Sequence, residues 1–307
     1  MKPKEQEGCR QNNRQAQNIG GAFCKEKTLE QKEMPKIFVS TSCLGVTRSL
    51  QEILSVYSTH GIEKVELGSG LDYIEDVTAL LKQYSHLKFV IHNYFPPAKV
   101  PFIMNLAAQD EGVRISSVGI AKRAVELCHR FGLGLYSFHP GFRQEESLEL
   151  GFELSSSRVV TYGSAFRAFC RSVEEILEGA RRLRVDVAVE NLEHKNRAYM
   201  MTRPEEFLRF QEIFPEVGVL LDLGHLKIAS RRLGFKATDF LRAVQDNVLE
   251  VHIHENDGQV DMHEEPLKSD LMGLLEDVDC ETIVLECHNL NIERILLNLR
   301  ALEKVFA

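Results

Sequence analysis

The amino-acid sequence predicts an α/β protein of the (β/α)8 TIM-barrel class. Three observations support this class: short strand-like runs alternate with longer amphipathic segments from Lys36 onward, eight such units follow one another, and their total length is close to the roughly 250 residues usual for a barrel. Tight hairpins cannot join parallel neighbours, so strands separated by helices predict parallel pairing with right-handed crossovers. An open doubly wound sheet usually has a glycine-rich turn after its first strand, whereas residues 41–45 contain one glycine.

Each strand is predicted from a short apolar run, and each helix from apolar residues that recur on one helical face. The predicted strands are residues 37–43, 62–68, 88–92, 133–139, 185–190, 217–222, 248–254 and 281–287. The predicted helices are residues 49–60, 73–84, 116–131, 165–183, 205–214, 239–245, 267–276 and 292–305. The connections 93–116 and 140–164 are long enough to be functional lids or walls.

Residues 1–35 are predicted to be a disordered tail that precedes a catalytic domain of residues 36–307. The tail is rich in Gln, Asn, Lys and Glu and has almost no apolar periodicity. Such a segment cannot bury enough apolar surface to offset the entropy lost on ordering.

Composition and charge restrict the classes of function. The 307 residues include 44% hydrophobic residues, enough for a large core, but no apolar run approaches the roughly 20 residues that cross a bilayer, so no membrane partner is expected. A formal net charge of −8 argues against binding nucleic acid through bulk charge. Seven scattered cysteines without a Cys-x-x-Cys pair are typical of a protein from a reducing cytoplasm, the predicted location.

Histidines and acidic residues occur at the predicted ends of strands three to eight. In barrels of this class, side chains at the carboxyl ends of the strands converge on one mouth. Carboxylates gathered in a poorly hydrated pocket repel one another unless they bind protons or cations, and carboxylates beside imidazoles suit Zn²⁺, with Mn²⁺, Fe²⁺ or Co²⁺ as alternatives. The predicted metal ligands are His92, His139, Glu190, Asp222, His225, His254, Asp261, His263 and Glu286. Nine ligands exceed the needs of one ion, so we expect two or three ions.

Each of these residues has a simpler interpretation when it is taken alone. A strand-end histidine is more often a hydrogen-bonded pocket residue, Asp222 could cap a helix, and Asp261-x-His263 could be a solvated loop. The simpler interpretations do not explain why acids or imidazoles occur at six successive strand ends. Their joint occurrence favours the metal site.

Three further histidines lie close to the predicted ligands. His194 and His288 follow ligand positions by a few residues and are predicted to contact the substrate. His252 shares a strand face with His254 but lies one step deeper, where we expect a hydrogen bond in the core.

The chain from about residue 36 to 307 resembles the xylose isomerase-like TIM-barrel superfamily, which includes endonuclease IV (the family 2 AP endonucleases) and many sugar isomerases and epimerases. Glu190, Asp222, His254 and Glu286 match positions common to both branches. Residues 102–107 and 138–141 and the motif Asp261-Met262-His263 are similar to endonuclease IV alone.

The resemblance to endonuclease IV implies three zinc sites. His92, His139 and Glu190 would hold one ion. Glu190 would bridge to a second ion, which three further residues would also hold. Three other residues would hold the third ion. The second set is Asp222, His254 and Glu286, and the third set is His225, Asp261 and His263.

Three departures from endonuclease IV bear on the substrate. The loop 68–72 is short and lacks arginine or aromatic residues that would enter a duplex, and the segment between His254 and Asp261 is shorter than in the family pattern. The connection after the fourth strand carries glutamates that would repel a phosphate backbone. These are Glu145, Glu146, Glu149 and Glu153. The departures favour a small phosphorylated or sugar-like substrate over nucleic acid.

Three enzymatic functions remain open at this point, and a non-catalytic scaffold that only holds metal is disfavoured because nothing obvious caps the open metal positions. The favoured one is hydrolysis of a phosphoester of a small or sugar-like substrate at a multinuclear zinc site, because an isomerase does not require the ligands beyond the four shared positions. The alternative is a metal-dependent isomerase or epimerase of a sugar or sugar phosphate, in which Glu190 or Glu286 is the catalytic group that carries a proton between adjacent carbons. The second alternative is an AP endonuclease that acts on DNA.

Overall fold

Eight parallel strands form a closed barrel in which each strand pairs with its neighbours along the chain and the eighth pairs with the first. The computed structural model describes residues 34–144, 158–267 and 269–307. The strands are β1 Lys36–Ser40, β2 Lys64–Leu67, β3 Lys88–His92, β4 Leu135–Phe138, β5 Asp186–Glu190, β6 Gly218–Asp222, β7 Val248–Ile253 and β8 Thr282–Leu285. The predicted (β/α)8 barrel is confirmed.

Helices connect the strands on the outside of the barrel. They are α1 Leu50–Thr59, α2 Val77–Gln83, α3 Glu111–Phe131, α4 Tyr162–Leu183, α5 Pro204–Ile213, α6 Leu223–Leu233, α7 Ala237–Val244, α8 Leu271–Leu275 and α9 Ile292–Val305. In the described parts of the chain, no helix combines the length and the apolar character that crossing a membrane requires.

The main difference from the predicted elements is α6, a helix that the sequence analysis missed. It follows β6 without a connecting loop, because Asp222 ends the strand and is also the N-cap of the helix. Some predicted strands also extend too far: the first, predicted to end at Cys43, ends at Ser40, and Cys43 lies in the following loop. Two expectations lie outside the described residues, namely the tail as far as residue 33 and the four glutamates of the connection after β4.

The interior of the barrel changes from apolar to polar along the strands. Phe38, Val90 and Val284 form a small buried apolar cluster of their own. Two residues further along the same strands are Ser40, His92 and Glu286, and alternation in a strand places residues i and i+2 on the same face. The carboxyl end of the barrel is therefore lined by polar side chains.

Candidate metal centre

The fold gathers all nine predicted metal ligands at the carboxyl end of the barrel. Three of them end strands, three follow a strand by one residue, one lies in the first turn of α6, and two lie in the connection after β7. In that order they are His92, Glu190 and Asp222; His139, His254 and Glu286; and His225, Asp261 and His263. Their ligand atoms form overlapping groups in which all atoms lie within 4.8 Å of one another.

The first group consists of His92, His139 and Glu190. Oε2 of Glu190 lies 2.7 Å from Nε2 of His139 and 3.2 Å from Nε2 of His92. The other ring nitrogen of His92, Nδ1, lies 3.1 Å from the hydroxyl oxygen of Ser137. That contact orients the ring so that Nε2 faces the carboxylate. His92 and Glu190 are buried, whereas the side chain of His139 is 28% exposed and faces the mouth of the barrel.

The second group consists of Asp222, His254 and Glu286. Nε2 of His254 lies 3.2 Å from Oδ2 of Asp222, and both side chains are fully buried. Gly224 allows this close packing, since a Cβ atom there would lie 2.1 Å from Cε1 of His254. Any larger residue at position 224 would displace the imidazole.

Glu190 links the first group to its neighbours. It also forms a group with Asp222 and His225, and its Oε1 lies 2.9 Å from Nδ1 of His225. A carboxylate whose two oxygens face different sets of ligands can bridge two ions. The arrangement fits the bridging role that the resemblance implies for Glu190.

The third group consists of His225, Asp261 and His263, together with His254 of the second group. Oδ2 of Asp261 lies 3.4 Å from Nε2 of His225 and 3.2 Å from Nε2 of His263. The Nδ1 atoms of these two rings lie 3.0 Å and 2.7 Å from the backbone carbonyl oxygens of Asn191 and Glu286. An Nδ1–H that donates to a carbonyl leaves the Nε2 lone pair free for a metal, the usual arrangement of ligating histidines.

The electrostatics of the centre couple its acids and imidazoles. Burial would lower the pKa of His225, but the carboxylates of Asp222 and Asp261 outweigh it and raise the pKa well above its usual value. Burial opposes the shift at His263 too, where the hydrogen bond to Asp261 raises the pKa to about 9. At Glu190, burial is outweighed by His139 and its neighbours, which hold the pKa well below its usual range. Protons on the imidazoles therefore neutralise the carboxylates in the metal-free protein.

Several buried atoms of the centre lack a hydrogen-bond partner. They include both carboxylate oxygens of Glu190, Oδ2 of Asp222, Oδ1 of Asp261 and both ring nitrogens of His254. Imidazole nitrogens approach some of these oxygens, but not along a hydrogen-bond direction. An unsatisfied buried polar atom costs about 1–3 kcal/mol, more if it is charged. Divalent cations would satisfy these atoms, so the residues fit a metal centre.

Two residues of the centre were missed by the sequence analysis, Glu193 and Lys195. Glu193 is buried, with Oε2 at 3.5 Å from Nε2 of His225 and Oε1 at 2.7 Å from Nζ of Lys195. Nζ of Lys195 also lies 3.9 Å from Oδ2 of Asp261. The available signal was the spacing Glu190-x-x-Glu193 after the fifth strand.

A second layer of ionisable side chains lies deeper in the barrel. His252, expected to form a core hydrogen bond, has two carboxylate partners: Nε2 lies 2.7 Å from Oε2 of Glu66, and Nδ1 lies 3.0 Å from Oε2 of Glu286. Glu250, two residues earlier on β7, is also fully buried, and burial raises its pKa to about 7. Glu66 lies within β2 and not at its end, so the pattern of strand-end residues does not include it.

The two histidines predicted to contact the substrate have different surroundings. The ring of His288 stacks on that of His263, with centroids 4.1 Å apart, and lines a pocket of about 580 Å³ beside Glu286. His194 lies on the connection after β5, where Nδ1 is 3.5 Å from the hydroxyl oxygen of Thr202. The pocket is also lined by Thr41, Ser42, Thr47, Arg48 and Ser69.

Comparisons with known proteins agree with the observed fold. A curated relative, an uncharacterised protein of Methanocaldococcus jannaschii, is 24% identical over 231 residues, which cover 74% of this chain and 80% of that protein. A solved D-tagatose 3-epimerase-like protein is similar with a TM-score of 0.67 at 20% identity, covering 88% of this chain and 96% of its own. Endonuclease IV from Thermus thermophilus is similar with a TM-score of 0.57 at 19% identity, covering 88% and 98% of the two chains.

The two solved structures share the fold with this chain, and at these identities they show no more than that. The family model described as xylose isomerase-like TIM barrel matches residues 56–297, well over half of the sequence. The chain therefore belongs to the xylose isomerase-like TIM-barrel family.

Proposed function

We propose that this protein hydrolyses a phosphoester of a small, sugar-like molecule at a centre that holds two or three divalent ions, with zinc as the preferred metal. One observation carries the proposal. The five predicted ligands beyond the four shared family positions are all present at the mouth of the barrel and adjoin those four. An isomerase with a single ion does not require them, whereas a multinuclear hydrolase does.

The charge of the centre supports a phosphoester as substrate. Glu190, Asp222, Asp261 and Glu286 carry four negative charges when ionised. One divalent ion would leave the carboxylates with a charge of −2, from 2 − 4, which protons on the remaining imidazoles offset, so such a centre has no fixed positive charge to attract a phosphate. Three divalent ions would leave +2, from 6 − 4, and would attract it. A centre that holds several ions therefore favours an anionic substrate.

The protein side chains have distinct tasks in this proposal. When bound, clustered divalent ions supply Lewis-acid chemistry that polarises a phosphoryl oxygen and activates water. Glu190 is buried between the first two groups and is suited to hold ions there. Glu286 is 14% exposed and borders the pocket, so its carboxylate is suited to hold an ion beside the substrate. Lys195, at the rim beside Asp261, is suited to contact a phosphoryl oxygen.

The pocket beside Glu286 supports a small substrate. Its volume of about 580 Å³ lies within the range of about 300–1,000 Å³ that is typical of small-molecule sites. Hydroxyl side chains such as Thr41, Ser42 and Ser69 line it and can bond to a polyhydroxylated group. The substrate we favour is therefore a sugar-like alcohol esterified to phosphate.

The proposal is tested by counting metal ions and screening substrates on the same preparation. Elemental analysis should find two or three zinc ions per chain. A panel of sugar phosphates, an aryl phosphate, abasic DNA and free ketoses should then show hydrolysis of a small phosphoester. Conversion of free ketoses together with an intact phosphoester panel would contradict the proposal.

The hydroxyl lining of the pocket also favours a second candidate, a sugar or sugar phosphate isomerase or epimerase. In that reaction Glu190 or Glu286 would carry a proton between adjacent carbons beside one ion. The same panel separates the candidates, because a single bound ion and activity on ketoses belong to the second. Cleavage of abasic DNA would identify an AP endonuclease instead.

A further inference from the structure

The deeper layer of the barrel contains charged side chains that the proposed reaction does not use. Glu66 on β2 and His252 on β7 have no exposed surface. A charge removed from water is costly unless it is paired and hydrogen-bonded. The groups that contact Glu66 and His252 should therefore indicate the role of these two residues.

His252 connects Glu66 to the metal centre. One ring nitrogen, Nε2, lies 2.7 Å from Oε2 of Glu66, and the other, Nδ1, lies 3.0 Å from Oε2 of Glu286. The contact of Nδ1 with Glu286 is a hydrogen bond, whereas Nε2 and Glu66 form an ion-pair contact that is not aligned as a hydrogen bond. Because both nitrogens face carboxylates, the ring cannot rotate without losing the hydrogen bond to Glu286 and the close contact with Glu66.

The same side chains do not make a further metal site. Glu66, His92 and His252 lie close enough together to hold an ion. However, Nε2 of His92 faces Glu190 at 3.2 Å, and its Nδ1 faces Ser137 at 3.1 Å. With both nitrogens of His92 engaged, only two ligands remain, and structural and catalytic zinc sites use at least three.

Among the predicted ligands Glu190, Asp222 and Glu286, the Glu286 carboxylate has the most freedom to rotate. Its side chain borders the 580 Å³ pocket and is 14% exposed, in contrast to Glu190 and Asp222, which are essentially fully buried. A carboxylate beside open space can rotate towards water. The hydrogen bond from His252 to Oε2 opposes that rotation.

We propose that His252, held by Glu66, is a positioning residue that fixes the carboxylate of Glu286 for the metal centre. The bond to Oε2 leaves Oε1 of Glu286 for an ion. Mutation of a residue that hydrogen-bonds to a metal ligand, without touching the metal, typically lowers metal affinity by about 10–100-fold. The inference rests on the proposed metal centre but not on the reaction that it catalyses.

The test compares two double variants that differ only in the donor at position 252. Both carry Glu66→Gln, so that no buried carboxylate loses its partner. Asparagine in Glu66→Gln/His252→Asn places an amide nitrogen where Nδ1 of the histidine lies, whereas leucine in Glu66→Gln/His252→Leu has a similar branched shape and no donor. Zinc affinity is measured by competition with a chromophoric chelator, and bound Co²⁺ is followed by its visible absorption.

We expect the asparagine variant to bind every ion within about threefold of the wild-type affinity. The leucine variant should lose about 10–100-fold in affinity for one ion, with a changed Co²⁺ spectrum for that ion alone. If leucine prevents folding, judged by the thermal transition of the metal-free protein, His252→Gln replaces it, because glutamine extends its amide to the position of Nε2, towards Glu66. The glutamine variant should also lose about 10–100-fold in affinity for one ion, because its amide does not reach Glu286.

Equal metal binding by the asparagine variant and the variant without a donor towards Glu286 would overturn the inference. A wild-type chain that binds no ion would overturn it together with the proposed function. A chain that binds its ions but hydrolyses no phosphoester contradicts the proposed function alone, since the comparison of variants needs no substrate.

Discussion

At the scale of single residues, the candidate centre depends on how each imidazole is anchored. His225 and His263 each have Nδ1 within hydrogen-bond distance of a backbone carbonyl, and His92 has Nδ1 near a hydroxyl. In all three rings Nε2 is then directed at the carboxylate of a predicted ligand. Rings fixed in this way are prepared to bind a metal without losing further rotational entropy.

His139 distinguishes a multinuclear hydrolase from an enzyme that uses only the four shared positions. His139→Ala removes the ring whose Nε2 lies 2.7 Å from Glu190 and should abolish binding of the first ion. Phosphoester hydrolysis should fall by at least about 100-fold, because losing a metal ligand lowers activity more than losing a residue that only hydrogen-bonds to a ligand. The matched control is His129→Ala, on the exposed face of α3, which should leave metal content and rate unchanged. Full activity of His139→Ala would exclude the first group from the mechanism.

The convergence of the predicted ligands could be anticipated from the sequence, whereas the residues that contact them from deeper in the barrel could not. His92 and Glu190 end apolar runs, and parallel strands bring such ends together whatever the details of packing. Glu66 lies inside the short run Lys64–Leu67, where a charged residue also fits a partly solvated strand. Its role depends on a contact with His252, five strands further along the chain, and no local pattern encodes that contact.

At the scale of elements, the junction of β6 and α6 combines a helix cap with a predicted metal ligand. Oδ1 of Asp222 accepts a hydrogen bond from the backbone N–H of His225, at 2.6 Å, while Oδ2 lies 3.2 Å from His254. The helix-cap and metal-ligand interpretations of Asp222 are therefore compatible. The sequence analysis missed α6 because a strand followed directly by its helix leaves no turn residues to mark the boundary.

Substitutions of Asp222 separate its two roles. Asp222→Asn removes a charge that opposes burial and raises the pKa of His225 but keeps an oxygen for the cap, so it is the reference against which the loss of the cap is measured in the metal-free protein. Relative to that variant, Asp222→Ala removes the cap and should lower the free energy of unfolding by about 0.5–2 kcal/mol. Both variants should lose the second ion, as measured by elemental analysis beside urea denaturation. If the asparagine variant binds all its ions, Asp222 caps the helix and is not a metal ligand.

Gly224 sets the distance between α6 and β7. A Cβ atom at this position would lie 2.1 Å from the ring of His254, which is fully buried and has no space to retreat. Gly224→Ala should destabilise the protein by about 1–3 kcal/mol through overpacking and should weaken metal binding. Gly179→Ala is the matched control within α4, where an added Cβ meets no atom within 4 Å. It should instead stabilise the helix by about 0.5–1 kcal/mol.

If Gly224→Ala binds its ions with wild-type affinity, the helix and the strand can separate without disturbing His254. Thermal unfolding in the presence of a chelator measures the packing effect alone. The difference between transitions with and without zinc then measures the effect on the metal centre.

At the scale of the whole molecule, the centre is an excess of acidic and imidazole groups that the barrel holds together against their repulsion. The fold supplies apolar packing between strands and helices, and the polar mouth opposes it. In the metal-free protein, protons carry part of the compensating charge, as the raised pKa values of His225 and His263 indicate. The stability of the whole chain should therefore depend on pH in opposite ways with and without metal.

The metal-free protein should lose stability as the pH rises. Burial opposes the shift at His263, but its carboxylate neighbours outweigh burial and raise the pKa from 6.5 to about 9, so its contribution is fully present below pH 6.5 and is lost as the pH passes 9. At about 1.4 kcal/mol per pKa unit, the contribution is on the order of 3 kcal/mol. Glu250, whose pKa is raised by burial to about 7, acts in the same direction between about pH 4.5 and 7.

Zinc should reverse this dependence, because it binds neutral imidazoles and its apparent affinity rises about tenfold per pH unit for each proton that it displaces. The gap between the unfolding temperatures of zinc-loaded and chelator-treated protein should therefore widen from pH 6 to pH 9. Calorimetry in buffers of different ionisation enthalpy should detect protons released on zinc binding at pH 7.5. A constant gap without proton release would mean that zinc does not replace the protons on these histidines, and the nine residues would then be an ion-pair network and not a metal centre.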